Sequence, residues 1–414
     1  MSEPVVAEVD VVDEEQAPPL PPLELRDGLP QLTQGEVDLE RVVRDLRAGT
    51  GPIALDTERA SGYRYGQSAY LIQIRREGAG SALIDPRAIP GLPGLAQALT
   101  GPEWILHAAS QDLPCLAELH LAPTTLFDTE LAGRLLGMAR VGLGPMVEDV
   151  LGVTLVKGHG AADWSRRPLP ADWLEYAALD VEVLIELRTE LGARLERAGK
   201  LGWAEQEFGA VRDAPPPPPR VDPWRRTSGI HNLRSRRSLA IVEHLWVARD
   251  RIGQEVDTAP GRLLPDSSIL AVATALLRDM DALRALKAFH GRGATRYQRA
   301  WATALADAWA VPERDLPPTA LKGDGPPPPR SWPQRDPAAA ARLDRARSSL
   351  QKRAEELELP VENLLTPDLV RRLMWQPPED GGSVAGVLSH AGARPWQVEL
   401  TAGLLEAAIH PPAG

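Results

Sequence analysis

The chain has 414 residues, 43% hydrophobic and 25% charged, which is enough for two or three domains that each bury a core. Its single cysteine, Cys115, excludes an internal disulfide framework and a thiolate metal cluster, and no apolar run approaches the roughly 20 residues of a membrane span. A net charge of -11 argues against indiscriminate coating of nucleic acid, so contact with phosphates requires a local basic surface.

The acidic, proline-rich start, residues 1–29, lacks the basic and apolar regions of a secretory signal, so a disordered tail on a cytoplasmic protein is expected. Strand and helix signals then alternate. Strand-like runs lie at Ile53–Asp56, Ala69–Ile74, Ala82–Asp85, Trp104–His107 and Thr125–Phe127, and helical stretches at Leu95–Leu99, Ser110–Leu119, Thr129–Leu136 and Pro170–Arg197. That order predicts a mixed sheet flanked by helices, an α/β domain over residues 30–212. Proline runs at Pro215–Pro219, and at Pro317-Pro318 with Pro326–Pro329, can continue neither a helix nor a central strand. Segments 213–221 and 313–332 are therefore expected to be semi-rigid linkers. The regions they delimit, 222–312 and 333–412, carry almost no strand signal and resemble each other. Arg220 and Trp224 behind one proline pair match Arg330 and Trp332 behind another, and Leu263-Leu264-Pro265-Asp266 matches Leu364-Leu365-Thr366-Pro367-Asp368. An internal duplication roughly 100 residues apart is the simplest account.

The run Ile53-Ala54-Leu55-Asp56-Thr57-Glu58 brings two carboxylates to a strand end, and the strand period of two puts both on one face. Two such acids repel unless a cation lies between them. Asp112 opens a helix just after the Trp104–His107 run, and Tyr176 and Asp180, four apart, share one face of the last long helix. Each alone has an ordinary reading: a solvated strand end, an acid at a helix start, a surface ion pair, a core aromatic. If they converge, four carboxylates suit Mg²⁺ or Mn²⁺, and two ions about 4 Å apart can clamp both oxygens of a phosphodiester displacement.

In order and spacing these segments resemble the tyrosine-bearing branch of the DEDD 3′–5′ exonucleases, and specifically the ribonuclease D family. The likeness covers about residues 33–205. It rests on Asp56-Thr57-Glu58 with Tyr70-Leu71-Ile72-Gln73-Ile74, on His107-Ala108-Ala109-Ser110-Gln111-Asp112, on Phe127-Asp128-Thr129-Glu130, on Asp163-Trp164-Ser165-Arg166-Arg167, and on Tyr176-Ala177-Ala178-Leu179-Asp180. The resemblance implies a ribonuclease H-like fold, and 222–312 and 333–412 resemble HRDC domains, the second more loosely. It makes Asp56, Glu58, Asp112 and Asp180 ligands of two divalent ions, with Tyr176 orienting or helping to deprotonate the attacking water. The implied enzyme is a monomer, without membrane contact, that trims RNA 3′ ends, tRNA precursors among them, and releases nucleoside 5′-monophosphates. A DNA exonuclease and an RNA-binding scaffold are the alternatives, because the acids do not read the 2′-hydroxyl and the helical modules could act alone.

Substrate contacts are expected from several further residues. His107 lies at a strand end before Asp112, where a packed core histidine is the commoner role. Lys157 and Arg167 sit in a polar loop and suit phosphate oxygens, and Trp164 suits a base, although fixing the loop is its more ordinary use. Arg220 to Arg251 holds eight arginines against three acids. Within it Arg234, Arg236 and Arg237, with Trp224 and Trp246 nearby, are the candidate RNA face.

Overall fold

The computed structural model describes residues 19–156, 158–319, 325–379 and 382–411. Its α/β domain is built on a six-stranded sheet of order β1-β4-β3-β2-β5-β6, with β1 Leu32–Thr33, β2 Thr50–Arg59, β3 Ala69–Glu77, β4 Gly80–Ile84, β5 Glu103–Leu106 and β6 Thr125–Asp128. β2, β3 and β4 form an antiparallel meander, whereas β1 joins β4, β5 joins β2 and β6 joins β5 in parallel. The sheet is mixed, as the order of signals predicts. β2 lies inside it and is covered on both faces, which is why Ile53, Ala54 and Leu55 form an unbroken apolar run and are all fully buried.

The flanking helices are α1 Glu36–Ala48, α2 Leu95–Leu99, α3 Leu113–Glu118, α4 Thr129–Leu135, α5 Leu143–Leu151, α6 Ala171–Glu182, α7 Leu184–Arg197 and α8 Leu201–Arg212. The single helix expected over 170–197 is broken at Val183, so that α6 lies over β2, β3 and β4 while α7 packs on α4 and β5. A buried ion pair, Arg75 to Glu182 at 3.1 Å, pins the end of α6 to β3.

The expected tail over 1–29 is corrected in its second half. Leu23 N donates to Thr154 O at 2.9 Å, Thr154 N donates to Pro21 O at 2.9 Å, and Arg26 pairs with Glu182 and Glu186, so the chain is stitched to the domain from Pro21 onward. Residues 1–18 lie outside the described residues.

The helices Arg236–Glu255, Pro260–Leu263 and Asp266–Ala275 recur as Pro337–Glu356, Val361–Leu364 and Pro367–Trp375, each starting 101 residues after its counterpart. The two modules are attached differently. The first keeps a core of its own around Trp224, Leu245, Ile269 and Trp301, whereas the core of the second is continuous with that of the α/β domain. There Lys200 Nζ donates to Leu135 O at 2.7 Å and Leu357 O at 2.6 Å, and Trp396 stacks on Trp203 at 4.9 Å. Trp332 belongs to this shared core, so the expected linker 313–332 ends before it. The first module meets the loop that follows β2: Tyr65 Oη donates to Asp250 at 2.9 Å, Ala259 N to Tyr63 O at 3.0 Å and Arg262 Nε to Gly62 O at 2.8 Å. Among the described residues, no helix is long and apolar enough to cross a membrane.

Candidate active site

The alternation of β2 aims Asp56 and Glu58 at the face over which α6 passes, and α6 brings Asp180 down to them. Carboxylate oxygens of Asp56, Glu58 and Asp180 all lie within 4.8 Å of one another. Tyr176, one turn earlier on α6, lines the same cleft beside Asp180. Asp112 arrives from the start of α3, where Thr57 Oγ1 donates to its Oδ1 at 2.6 Å. A cleft of about 450 Å³ is lined by all five residues and by His107.

The turn that presents Asp112 has its own support, which sequence reasoning left without a role. Asp128, at the end of β6, accepts from Ala108 N at 3.2 Å and Ala109 N at 2.8 Å while capping α4 through Glu130 N and Leu131 N. One carboxylate thereby ties a left-handed residue, Ala108 at φ 58°, to a helix start. Cys115 is the buried structural thiol expected, with Sγ 3.2 Å from Thr57 Oγ1. Arg59 was also missed. It lines the cleft wall, donates to Gln111 O at 2.9 Å, and eases the charge on Glu58 and Asp112.

Crowding of buried acids dominates the electrostatics. Burial first, and then Asp112, Asp180 and Glu58, push Asp56 well above the carboxylate range. Burial with repulsion from Asp180 and Asp112 raises Glu58 to about 9, and burial raises Asp112 to about 6 and Asp180 to about 7. Such a group holds protons at neutral pH that a divalent cation would replace. The donor set, oxygens only and mutually repelling, fits a hard divalent cation.

Three family models match the chain: one described as a 3′–5′ exonuclease over residues 30–196, an HRDC domain over 238–305, and a 3′ to 5′ exonuclease C-terminal domain over 325–409. Ribonuclease D of Gluconacetobacter diazotrophicus is 32% identical over 310 residues, which cover 72% of this chain and 77% of the relative. This chain belongs to the ribonuclease D family. Ribonuclease D of Granulibacter bethesdensis is 33% identical over 221 residues, covering 51% of this chain and 54% of that protein. Among solved structures, Escherichia coli RNase D superposes with a TM-score of 0.65 at 26% identity, over 93% of this chain and 100% of that one. A protein from Bifidobacterium adolescentis superposes at 0.87 with 39% identity, over 94% and 99% of the two chains. The chain is accordingly a 3′–5′ exoribonuclease that uses divalent metal, with an HRDC domain and a helical C-terminal region. That last region, expected as a second HRDC-like domain, repeats the helical layout of the first but matches the exonuclease C-terminal model.

The remaining ribonuclease D candidates divide on burial and pairing. His107 lines the cleft beside Asp112; burial lowers its pKa to about 4, and its Nδ1 meets Thr129 Oγ1 at 2.9 Å, so it borders the cleft as a neutral imidazole. Lys157 lies outside the described residues. Trp164 is fully buried, tilted against Trp173 at 5.3 Å and donating to His159 O, which corrects the base-stacking alternative and leaves the loop-fixing role that was its more ordinary use. Arg167 is corrected likewise: its fork is spent on Asp85, at 2.7 Å from both Nε and Nη2, and on Tyr70 O. Arg236 reaches the carbonyls of Leu316 and Pro317, and Arg237 those of Ala308 and Trp309 together with Glu313. Both close the end of the HRDC domain and are consumed there. Among the described residues Arg234 makes no such bond, and it stays exposed.

The raised carboxylates set a pH signature. Between the ordinary carboxylate value of about 4 and the folded value of about 9 at Glu58, the native state binds more protons than the unfolded chain. Stability of the metal-free protein therefore falls as pH rises through that window. Melting curves in chelator should drop from pH 6 to pH 9, and added Mg²⁺ should recover more at pH 9 than at pH 6. An Mg²⁺ shift of equal size at both would contradict this account.

Proposed function

We propose that the cleft hydrolyses the 3′-terminal phosphodiester of RNA and releases nucleoside 5′-monophosphates, with tRNA precursors and other structured RNAs as substrates of a monomeric enzyme. The observation that carries this reading is the 4.8 Å cluster of Asp56, Glu58 and Asp180 in a cleft that Asp112 and Tyr176 also line. Two divalent ions, Mg²⁺ or Mn²⁺, held by Asp56, Glu58, Asp112 and Asp180, would supply the positive charge that activates water and steadies the departing oxygen.

The chain's own groups do the placing. Burial and the neighbouring Asp180 and Glu58 push Tyr176 far above the usual phenol value, so its hydroxyl stays protonated. It acts as an orienting hydrogen-bond group beside the attacking water, not as the base. Glu58, buried at the end of β2, is the carboxylate set to accept that water's proton or hold it in line. His107, neutral, offers its ring edge to the terminal nucleotide.

Incubation with 3′-labelled RNA and DNA, in Mg²⁺ or in chelator, tests the proposal by counting labelled 5′-monophosphate. Faster turnover of DNA would shift the substrate, and RNA binding without product under any divalent ion would leave a scaffold. Tyr176→Phe should lower kcat on the order of 10²-fold while the Mg²⁺-induced melting shift is kept. Unchanged kcat would reduce Tyr176 to packing.

A further inference from the structure

We propose that His159 is a positioning residue: its imidazole fixes the Tyr176 ring from outside α6 and so keeps the phenol hydroxyl in place at the cleft wall. This rests on the orienting role given to Tyr176 above and identifies the side chain that enforces it.

A tyrosine on a helix is not fixed by its backbone. The ring turns about two side-chain bonds, and the hydroxyl at its far end magnifies any swing. Tyr176 is only part-buried, so its own helix leaves part of the ring uncovered. An orienting group displaced by about 1 Å loses up to about 10²-fold in rate. Contact from another element is what prevents that displacement.

The loop between α5 and α6 supplies the contact. In the first turns of α6, Trp173 stands three residues and Asp172 four residues before Tyr176, so both neighbour it on the helix surface. One imidazole meets all three. The His159 ring stands edge-on to Tyr176, at 87° and 5.7 Å between centroids, and lies tilted against Trp173, also at 5.7 Å. Its Nε2 is 3.5 Å from an Asp172 oxygen. An edge-on pair is a favoured aromatic geometry, because the positive ring edge meets the negative face. Asp172 and Trp173 fix the imidazole in turn, and the fully buried Trp164 backs Trp173 at 5.3 Å.

The His159 side chain is not what closes the loop. The backbone oxygen of His159 accepts from Ala162 N at 2.9 Å and from Trp164 Nε1 at 3.1 Å, and these bonds are available whatever side chain stands there. Gly158 and Gly160 line the cleft, whereas His159 between them is not among the described residues that do. A Cβ on Gly160 would lie 3.6 Å from Tyr176 Oη, which places the hydroxyl against this stretch of backbone. The imidazole therefore acts through Tyr176 and not on the substrate.

The test joins kinetics on a short RNA in Mg²⁺ to fluorine NMR of the full chain labelled with fluorotyrosine. Of the five tyrosine signals, that of Tyr176 is the one removed by Tyr176→Phe. His159→Ala should move or broaden this signal and lower kcat on the order of tenfold, with KM and the Mg²⁺-induced melting shift unchanged. His159→Phe, which keeps a ring at the same place, should retain most of kcat. In the Tyr176→Phe background His159→Ala should cost little more, because the hydroxyl it places is already gone. A Tyr176 signal unaltered by His159→Ala would overturn the proposal, as would an equal loss of kcat with and without the Tyr176 hydroxyl, or a loss from His159→Phe as large as from His159→Ala. If Tyr176→Phe alone leaves kcat unchanged while His159→Ala still moves the signal, the orienting role of Tyr176 falls and the hold of His159 on the ring stands.

Discussion

Asp56→Asn will lower exonuclease turnover by at least about 10³-fold and, in chelator above pH 7, will raise the melting temperature. The two effects have one cause. Asp56 sits among Asp112, Asp180 and Glu58, where burial and repulsion disfavour its charge. The wild-type chain must therefore either hold a proton there or bury a carboxylate, and above the ordinary carboxylate value of about 4 that costs stability. An amide of the same shape removes the cost, and with it the oxygen charge that a divalent cation needs. The melting gain should shrink as pH falls and vanish below about pH 3, where the acid is protonated whether folded or not. Turnover of labelled RNA within tenfold of wild type would refute the assignment. A lowered melting temperature at pH 8 would show that Asp56 supports the fold.

Arg75→Met will destabilise the protein by about 3 kcal/mol or more, because it leaves a buried carboxylate without its main partner. Arg75 Nη1 lies 3.1 Å from Glu182, 2.9 Å from Ser81 and 3.2 Å from Asp27, and both members of the central pair are almost fully buried. Only the half-exposed Arg26 remains as a cation for Glu182 in the variant, with the Ser81 hydroxyl at 3.4 Å. Glu182 lies two residues beyond Asp180, at the end of the helix that carries Tyr176, so turnover should fall together with stability. Removing both charges, with Arg75→Met and Glu182→Met, should restore much of the loss, since paired burial of ions is close to break-even against apolar packing. Chemical denaturation of the two single variants and the double variant measures the coupling. Additive losses would show that the pair is not coupled.

Much of the α/β domain is legible in the sequence because its signals are local. Ile53–Asp56 and Thr125–Phe127 read as strands from short apolar runs that sheet interiors require, and all five anticipated strands are present. β1, α1, α5 and α8 were not anticipated. α1 carries Glu36, Asp38, Glu40, Arg41, Arg44, Asp45 and Arg47 around a thin apolar stripe of Leu39, Val43 and Leu46, and such a helix is stabilised by what it packs against more than by its own pattern. The duplication was visible in Leu-Leu-Pro-Asp and its echo. Its two copies behave differently because Trp203, Glu207 and Lys200 on or beside α8 recruit the second into the main core, whereas Tyr65 and Arg262 attach the first by polar contacts.

The basic residues mark the limit of reading charge along a chain. Arg167, Arg236 and Arg237 look like phosphate ligands in sequence, since an arginine shows its charge and hides its partner. In the fold Asp85, the end of the Gln298–Ala310 helix and the carbonyls of residues 316 and 317 consume them. Trp164 follows the same rule, because burial is a property of packing.

The sequence by itself determined the chemistry: two acids at a fixed period on one strand, a third at a helix start, a fourth four residues after a tyrosine. Those relations are local, set by strand and helix periods, and they survive in the fold. Tertiary structure alone decided convergence, bringing Asp180 within 4.8 Å of Asp56 and Glu58 by laying α6 across the sheet and pinning it with Glu182 to Arg75. It also decided which arginines are consumed by partners inside the fold. Both outcomes depend on contacts between residues far apart in the chain, such as Arg75 with Glu182 and Arg167 with Asp85, and no local period encodes such contacts.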